Sequence, residues 1–249
     1  YVNSKFSVAV NSATSGLHIA CLALGLKKKD IAWTSPISFV ASANCALYCG
    51  ANVDFVDIDK DTFNISTFEL EQKLKFAKKL KKLPKVLIVV HLAGAPCDMS
   101  KIKELSKKYK FYIIEDASHA LGSIYKGSKI GSCKYSDITV FSFHPVKSIT
   151  TAEGGLVTTN NNSIYRNLTL FREHGIERNK KKFLTNNKTP FSFEQQYLGY
   201  NYRLSDVHAA LGISQLKRIN LFIKKRNAIN KYYRKKLSKY SIKFQKNLK

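Results

Sequence analysis

The feature that most constrains this chain is the run Val86-Leu87-Ile88-Val89-Val90, five apolar residues in a row between Pro84 and His91. A strand with one face in water alternates apolar and polar residues, so an unbroken run of this length predicts a strand covered on both faces. Such strands sit inside parallel sheets, whose neighbours need crossover helices. The flanking sequence supplies them. Helical spacing covers Ser15 to Leu24, Phe39 to Cys49, Ser66 to about Lys81, Asp98 or Ser100 to Tyr109, and Ser163 to Arg172. Strand-like runs lie at Ile31 to Thr34, Val53 to Ile58, Lys85 to His91, Phe111 to Glu115, Asp137 to Phe143 and Leu156 to Thr159. The predicted class is α/β, a mostly parallel central sheet with helices on both faces. In such sheets the carboxyl ends of the strands, and the loops after them, form the edge where ligands collect.

After Gly155 the alternation fades. Arg178 to Thr189 is polar and basic and reads as an exposed loop. From Ser205 one helical pattern runs to about Leu237, with apolar residues at Val207, Leu211, Leu216, Ile219 and Ile223. A helix that long leaving a compact domain bridges to a second unit. The expected division is therefore 1–205 for a large domain and 206–249 for a connecting helix and the start of a truncated C-terminal domain. The chain opens at Tyr1 rather than Met, and a missing N-terminal segment is expected.

The formal charge is +25, from 42 Lys and Arg against 17 Asp and Glu. Such a surface draws polyanions, including diphosphate-bearing substrates. The lysines are nevertheless scattered (Lys27 to Lys29, Lys78 to Lys82, Lys180 to Lys182, Lys235 to Lys236), without an aromatic-interleaved stripe. Lys also dominates Arg, whereas phosphate readers favour Arg forks. Nucleic acid is not an expected partner. No apolar run approaches the roughly 20 residues of a membrane span, so no membrane is expected either. The five cysteines (Cys21, Cys45, Cys49, Cys97, Cys133) form no CxxC pair and no metal-ligand spacing. They read as buried thiols of a reducing compartment, the cytoplasm, with no metal.

Three segments carry candidate chemistry. Asn11-Ser12-Ala13-Thr14-Ser15-Gly16 opens a helix, where small hydroxyl residues leave backbone N–H groups free to face an anion; an ordinary helix cap explains the same residues. Tyr112 to Glu115 is a hydrophobic stretch ending at Asp116, a carboxylate at the ligand edge that either meets solvent or holds a ring nitrogen protonated. Phe141 to Gly155 runs from a buried strand into a loop with one lysine, Lys147, then Gly154-Gly155. A lysine so placed can form a Schiff base if its pKa is lowered. There is no HExxH, Walker loop or GxGxxG, so metal, NTPase and dinucleotide chemistry lack support.

In order along the chain stand NSATSGLH, TSPISFVASAN, IIEDASHALGS, FSFHPVKSITTAEGG and GYNYRLSDVHAALGISQL. This set resembles the DegT/DnrJ/EryC1/StrS sugar aminotransferases from Asn11 to about Leu237. The resemblance implies the large domain of a fold-type-I aminotransferase using pyridoxal 5'-phosphate. By it, Lys147 bonds to the cofactor and moves protons, and Asp116 pairs with the pyridine nitrogen. His119 and Phe39 flank the ring, while Ala13, Thr14, Ser15 and Ser142 hold the phosphate. Asn201 matches an Asn that reaches the phosphate from the neighbouring subunit, which implies a homodimer with shared active sites. The FHPVK…TTAEGG and GYNYRLSD wording is most similar to the pseudaminic-acid branch, implying transfer of an amino group from L-glutamate to C4 of a UDP-linked 4-keto-6-deoxy sugar and release of 2-oxoglutarate.

Rival readings stay open. A related sugar dehydratase branch carries a His in place of the lysine, and Lys147 argues against it. Another nucleotide keto sugar (dTDP, GDP or UDP-pentose) is a competing substrate, and a non-catalytic polyanion-binding relative is the non-enzyme alternative. Of the other histidines, His144 is a candidate substrate contact and His174 a candidate site residue; His18, His91 and His208 read as structural.

Overall fold

The computed structural model describes residues 1–186, 189–246 and 248. Seven strands form one sheet: β1 (Phe6–Val10), β2 (Ile31–Thr34), β3 (Asn52–Phe55), β4 (Val86–Val90), β5 (Tyr112–Asp116), β6 (Ile138–Ser142) and β7 (Gly155–Thr159). Their order is β1-β7-β6-β5-β4-β2-β3. From β3 across to β6 every pairing is parallel, and only the two pairings made by β7 are antiparallel. The expected mostly parallel sheet is present.

Two hydrophobic cores account for it. Val86 and Ile88 of β4 face one side, packing with α1 (Ala13–Ala23), α2 (Ala41–Tyr48) and α5 (Asn162–Arg172). Leu87 and Val89 face the other side, packing with α3 (Thr67–Lys79) and α4 (Met99–Tyr109). The unbroken apolar run is thus explained by burial of alternate residues in different cores. Helix starts follow local chemistry. Ser12, Ser66, Asp98 and Asn161 each accept a backbone N–H of the first turn on a side-chain oxygen. Lys110 ends α4 in the left-handed conformation, its N–H returning to the Ser106 carbonyl at 2.7 Å. Gly16 lets α1 lie flat on the sheet, since a Cβ there would sit 2.9 Å from Val140 Cγ1 and 3.0 Å from Val157 Cγ2.

Three local expectations are revised. The strand expected over Val53 to Ile58 stops at Phe55, and Ile58 makes only an isolated bridge to Ile65. β1 escapes the sequence reading and closes the sheet beside β7. The single helix expected from Ser205 to Leu237 is two, α6 (Asp206–Lys217) and α7 (Ile219–Leu237), separated at Arg218 by a change of backbone to φ −102° and ψ 0°. Of the loop expected from Arg178 to Thr189, residues 187 and 188 lie outside the described part, as do 247 and 249 of the 206–249 segment.

Candidate active site

The parallel strands deliver their carboxyl ends to one edge. Val90 pairs with Asp116, Asp116 with Val140, and Ser142 with Gly155, so β4, β5, β6 and the start of β7 end side by side. Above them lies a cavity of about 480 Å³. Ala13 and Thr14 of α1, Phe39, Asp116, His119, Ser142, His144 and Lys147 all line it. Seven of the nine residues to which the resemblance gave cofactor roles therefore meet in one place, joined by the candidate His144.

Asp116 is only 5% exposed, yet both its oxygens are engaged. Ser42 Oγ of α2 donates to Oδ2 at 2.7 Å; the Ser118 amide and hydroxyl donate to Oδ1 at 3.1 Å and 2.6 Å. These donors fix the carboxylate at the strand end, and among the described residues it makes no salt bridge. The adjacent Glu115 points to the opposite side of β5. There His91 Nε2 lies 2.7 Å from its Oε2, and the Thr139 hydroxyl donates to its Oε1 at 3.0 Å. His91 is buried structure, as expected.

Lys147 sits in the turn after β6, its amide donating to the His144 carbonyl at 2.9 Å. Arg226 of α7 donates to the Lys147 carbonyl at 2.7 Å. Burial draws the Lys147 amine below the ordinary lysine range, against the pull of Asp116. That shift favours the free amine a nucleophile requires. His119 is likewise held below its usual value, by burial first and by the charge of Lys147 second. Its Nδ1 accepts the Ala93 N–H at 3.3 Å, which assigns the proton of the neutral ring to Nε2.

At the other end of the cavity α1 presents its first turn. Ser15 N donates to Ser12 Oγ at 3.1 Å, and the two hydroxyls lie 2.9 Å apart. Ser15 is thus drawn into the cap, and Ser12, not singled out from sequence, lines the cavity in its place. Ala13 and Thr14 stand where first-turn N–H groups have no intrahelical partner. Gly155 packs against this turn so closely that a Cβ would sit 2.8 Å from Ala13 N.

Asn201 does not join the cavity lining; it is exposed and bridges Glu173 through the backbone. His174 also stays outside, at a left-handed turn with φ 60°, its amide donating to the Tyr200 carbonyl. Phe39 stands at the mouth, 73% exposed. Ser42 and Arg226 were missed by sequence reasoning. Ser42 lies inside the quoted TSPISFVASAN segment, so a polar residue on an otherwise small-residue helix was the available signal. A second hollow of about 600 Å³ lies at Arg166, Lys182, Leu184, Gln196 and Tyr197. It is an open trough whose Arg166 is already engaged by Glu177 and Gln196, each at 2.9 Å.

The family model of the DegT/DnrJ/EryC1/StrS aminotransferases matches residues 1–248, and the chain belongs to that family. It is 45% identical over 241 residues to the UDP-4-amino-4,6-dideoxy-N-acetyl-beta-L-altrosamine transaminase of Campylobacter jejuni, covering 96% of this chain and 59% of that protein. It is 35% identical over 234 residues to the GDP-perosamine synthase of Escherichia coli O157:H7, covering 94% and 59%. Among solved structures it resembles the Helicobacter pylori aminotransferase PseC, involved in the biosynthesis of pseudoaminic acid, with TM-score 0.83 and 33% identity over 96% of this chain and 60% of that one. The chain spans about three fifths of the length of these relatives.

Proposed function

We propose that this chain is the cofactor-binding part of a nucleotide-sugar aminotransferase that moves the amino group of L-glutamate to C4 of a UDP-linked 4-keto-6-deoxy sugar, as in pseudaminic acid biosynthesis. The observation that carries the reading is the meeting of Lys147 and Asp116 in one cavity at the ligand edge of the sheet. Residues 1–205 are read as the large domain and 206–249 as the arm joining it to the rest of the fold.

Pyridoxal phosphate is the cofactor of this family, and the residues fit it. A buried acid stands rigidly at the strand end, an amine of lowered pKa shares its cavity, and the first turn of α1 meets Gly155 where no side chain intrudes. Asp116 would hold the pyridine nitrogen, His119 and Phe39 would flank the ring, and Ala13, Thr14 and Ser142, with Ser15 through its backbone, would hold the phosphate. When bound, the cofactor supplies an electron sink for the pair left by a departing proton. Lys147 is read as the covalent attachment point and as the base that takes and returns the proton at the substrate carbon, a role its lowered pKa suits. Overall the ketone becomes an amine and glutamate leaves as 2-oxoglutarate, so atoms and electrons balance within the two substrates.

The working unit is proposed as a homodimer in which Asn201 of one copy serves the other copy's phosphate end. Its exposure and its place outside its own cavity support this. The place of work is proposed as the cytoplasm, which five free thiols would suit; no described helix is long and apolar enough to cross a membrane. The positive surface would favour the approach of a sugar diphosphate. The test gives the full-length protein glutamate and a panel of UDP-, GDP- and dTDP-linked keto sugars, and identifies the product by mass and NMR. Amination at C4 of the UDP sugar is expected; amination of the GDP sugar alone would move the chain to the perosamine type, and no amination would end the reading.

A further inference from the structure

Helices α1 and α2 carry a group of reactive side chains that the cavity does not use. Cys21 of α1 and Cys45 of α2 hold their sulfurs 3.7 Å apart. Cys49, one turn after Cys45, donates its thiol to the Cys45 carbonyl at 3.4 Å and also neighbours Cys21. His18, one turn before Cys21, packs on Tyr48, the residue before Cys49, and its ring acts on the Cys49 thiol. The imidazole is 4% exposed and enclosed by Tyr48, Tyr200 and Tyr202, with ring centroids 5.4, 4.8 and 6.0 Å away. Its Nδ1 lies 3.2 Å from Tyr202 Oη, while Nε2 is buried with no hydrogen-bond partner among the described residues. In the tautomer whose Nδ1 accepts the Tyr202 hydroxyl, the proton of the neutral ring falls on Nε2.

A buried N–H left without an acceptor is unfavourable, and a site built only for packing would hold an apolar side chain there. An anion formed beside it supplies the missing acceptor. Cys49 is placed to become that anion. Cys21 and Cys45 are fully enclosed, whereas Cys49 is partly open to solvent. The thiol of Cys21 draws Cys49 below the ordinary thiol range, burial opposes it and His18 adds to the lowering, while Cys21 is pushed above that range by its sulfur neighbours and by burial. The remaining two cysteines differ in kind. Cys97 donates to the Val90 carbonyl at 3.2 Å and Cys133 to the Thr158 carbonyl at 3.3 Å, both deep in the fold.

We infer that Cys49 is a modification site for hydroperoxides, with His18 steadying its thiolate and Cys21 as the resolving thiol. In the first step the Cys49 sulfur attacks one peroxide oxygen and the O–O bond breaks. The second oxygen leaves as an alcohol, or as water from hydrogen peroxide, after taking a proton from solvent. Sulfur is oxidised to the sulfenic acid and the peroxide is reduced. In the second step Cys21 attacks the Cys49 sulfur, the S–S bond forms, and hydroxide leaves with the Cys21 proton as water. The product ties the end of α1 to the end of α2.

The test uses the reduced full-length protein near neutral pH. Iodoacetamide should label Cys49 about 10-fold faster than Cys97 or Cys133. Hydrogen peroxide should then give a Cys21–Cys49 disulfide by peptide mass mapping. Cys21→Ser should leave Cys49 as a sulfenic acid that dimedone traps. His18→Gln should slow the Cys49 labelling about 10-fold; if that variant fails to fold, Tyr202→Phe, which removes the phenol that orients the ring, should slow it as well. Labelling of Cys49 no faster than Cys97, oxidation of Cys49 straight to sulfinic acid in the parent protein, or a disulfide that excludes Cys49 would each overturn the inference.

Discussion

Strand β4 and helix α6 are both rich in apolar residues, and the structure treats them in opposite ways. Every residue of β4 is buried. In α6 none is, and Val207 and Ile213 stand 80% and 62% exposed. The body of the molecule closes on itself because each face of the sheet has its own layer of helices. Among the described residues the arm has no such layer: beyond Ile219, its apolar side chains that lean on the core are Leu216, Phe222 and Ile223. An apolar face states that something must cover it and leaves open what does. The body therefore sets the geometry of the cavity, while the arm touches the site region through Arg226 and the Lys147 carbonyl.

The largest expected effect tests that division at the site. In the full-length protein, Lys147→Ala should remove the borohydride-reducible link to pyridoxal phosphate and lower multiple-turnover amination by about 10³-fold. Arg226→Ala deletes only the brace from the arm and should lower turnover by about 5-fold, the size of one hydrogen bond. Equal losses from the two changes would show that the arm, and not the body alone, builds the site. A reducible link that survives in Lys147→Ala would remove the lysine from its proposed role.

The same division can be read in stability. Leu87 is fully buried in β4, and Leu87→Ala should cost about 2–5 kcal/mol in urea unfolding, because the sheet and helices around it cannot collapse into the space. Val207→Ala in this chain should stay within about 0.5 kcal/mol. If Val207→Ala proves as damaging as Leu87→Ala, α6 is covered in solution by a second copy or by further chain, and the contrast between the regions is one of assembly.

What the sequence made legible follows the same line. Strands and helices buried by local pattern were readable, since Val86 to Val90 and the Asp98 cap announce themselves within a few residues. β1 was not, because Phe6 to Val10 is a half-exposed strand whose partner lies far along the chain in β7. The break at Arg218 has no Pro or Gly to mark it, so periodicity runs through it. The site divides likewise. Lys147 and Asp116 were legible from ordered motifs, while Ser42, which holds Asp116 from 74 residues away, needed the folded chain to acquire a reason. Ser15 was legible as part of a helix start, but only the folded chain distinguishes a hydroxyl spent on the cap from one open to a ligand.

The smallest expected effect concerns the charge on Lys147 in the cofactor-free protein. Burial lowers its pKa in the native state, with Asp116 opposing, whereas the unfolded chain keeps its proton up to about 10.4. Between the two values the unfolded state binds more protons, so native stability rises with pH across that window. Below the native value the penalty for a partly buried ammonium is present in full. Lys147→Met abolishes both the penalty and the slope, and the Ser42 and Ser118 donors remain to hold Asp116. Its urea midpoint should therefore exceed that of the parent at about pH 7, and the gap should shrink toward about pH 10. A gap that widens with pH would mean that the Asp116 charge outweighs desolvation, and that the amine in the empty cavity is held as a cation.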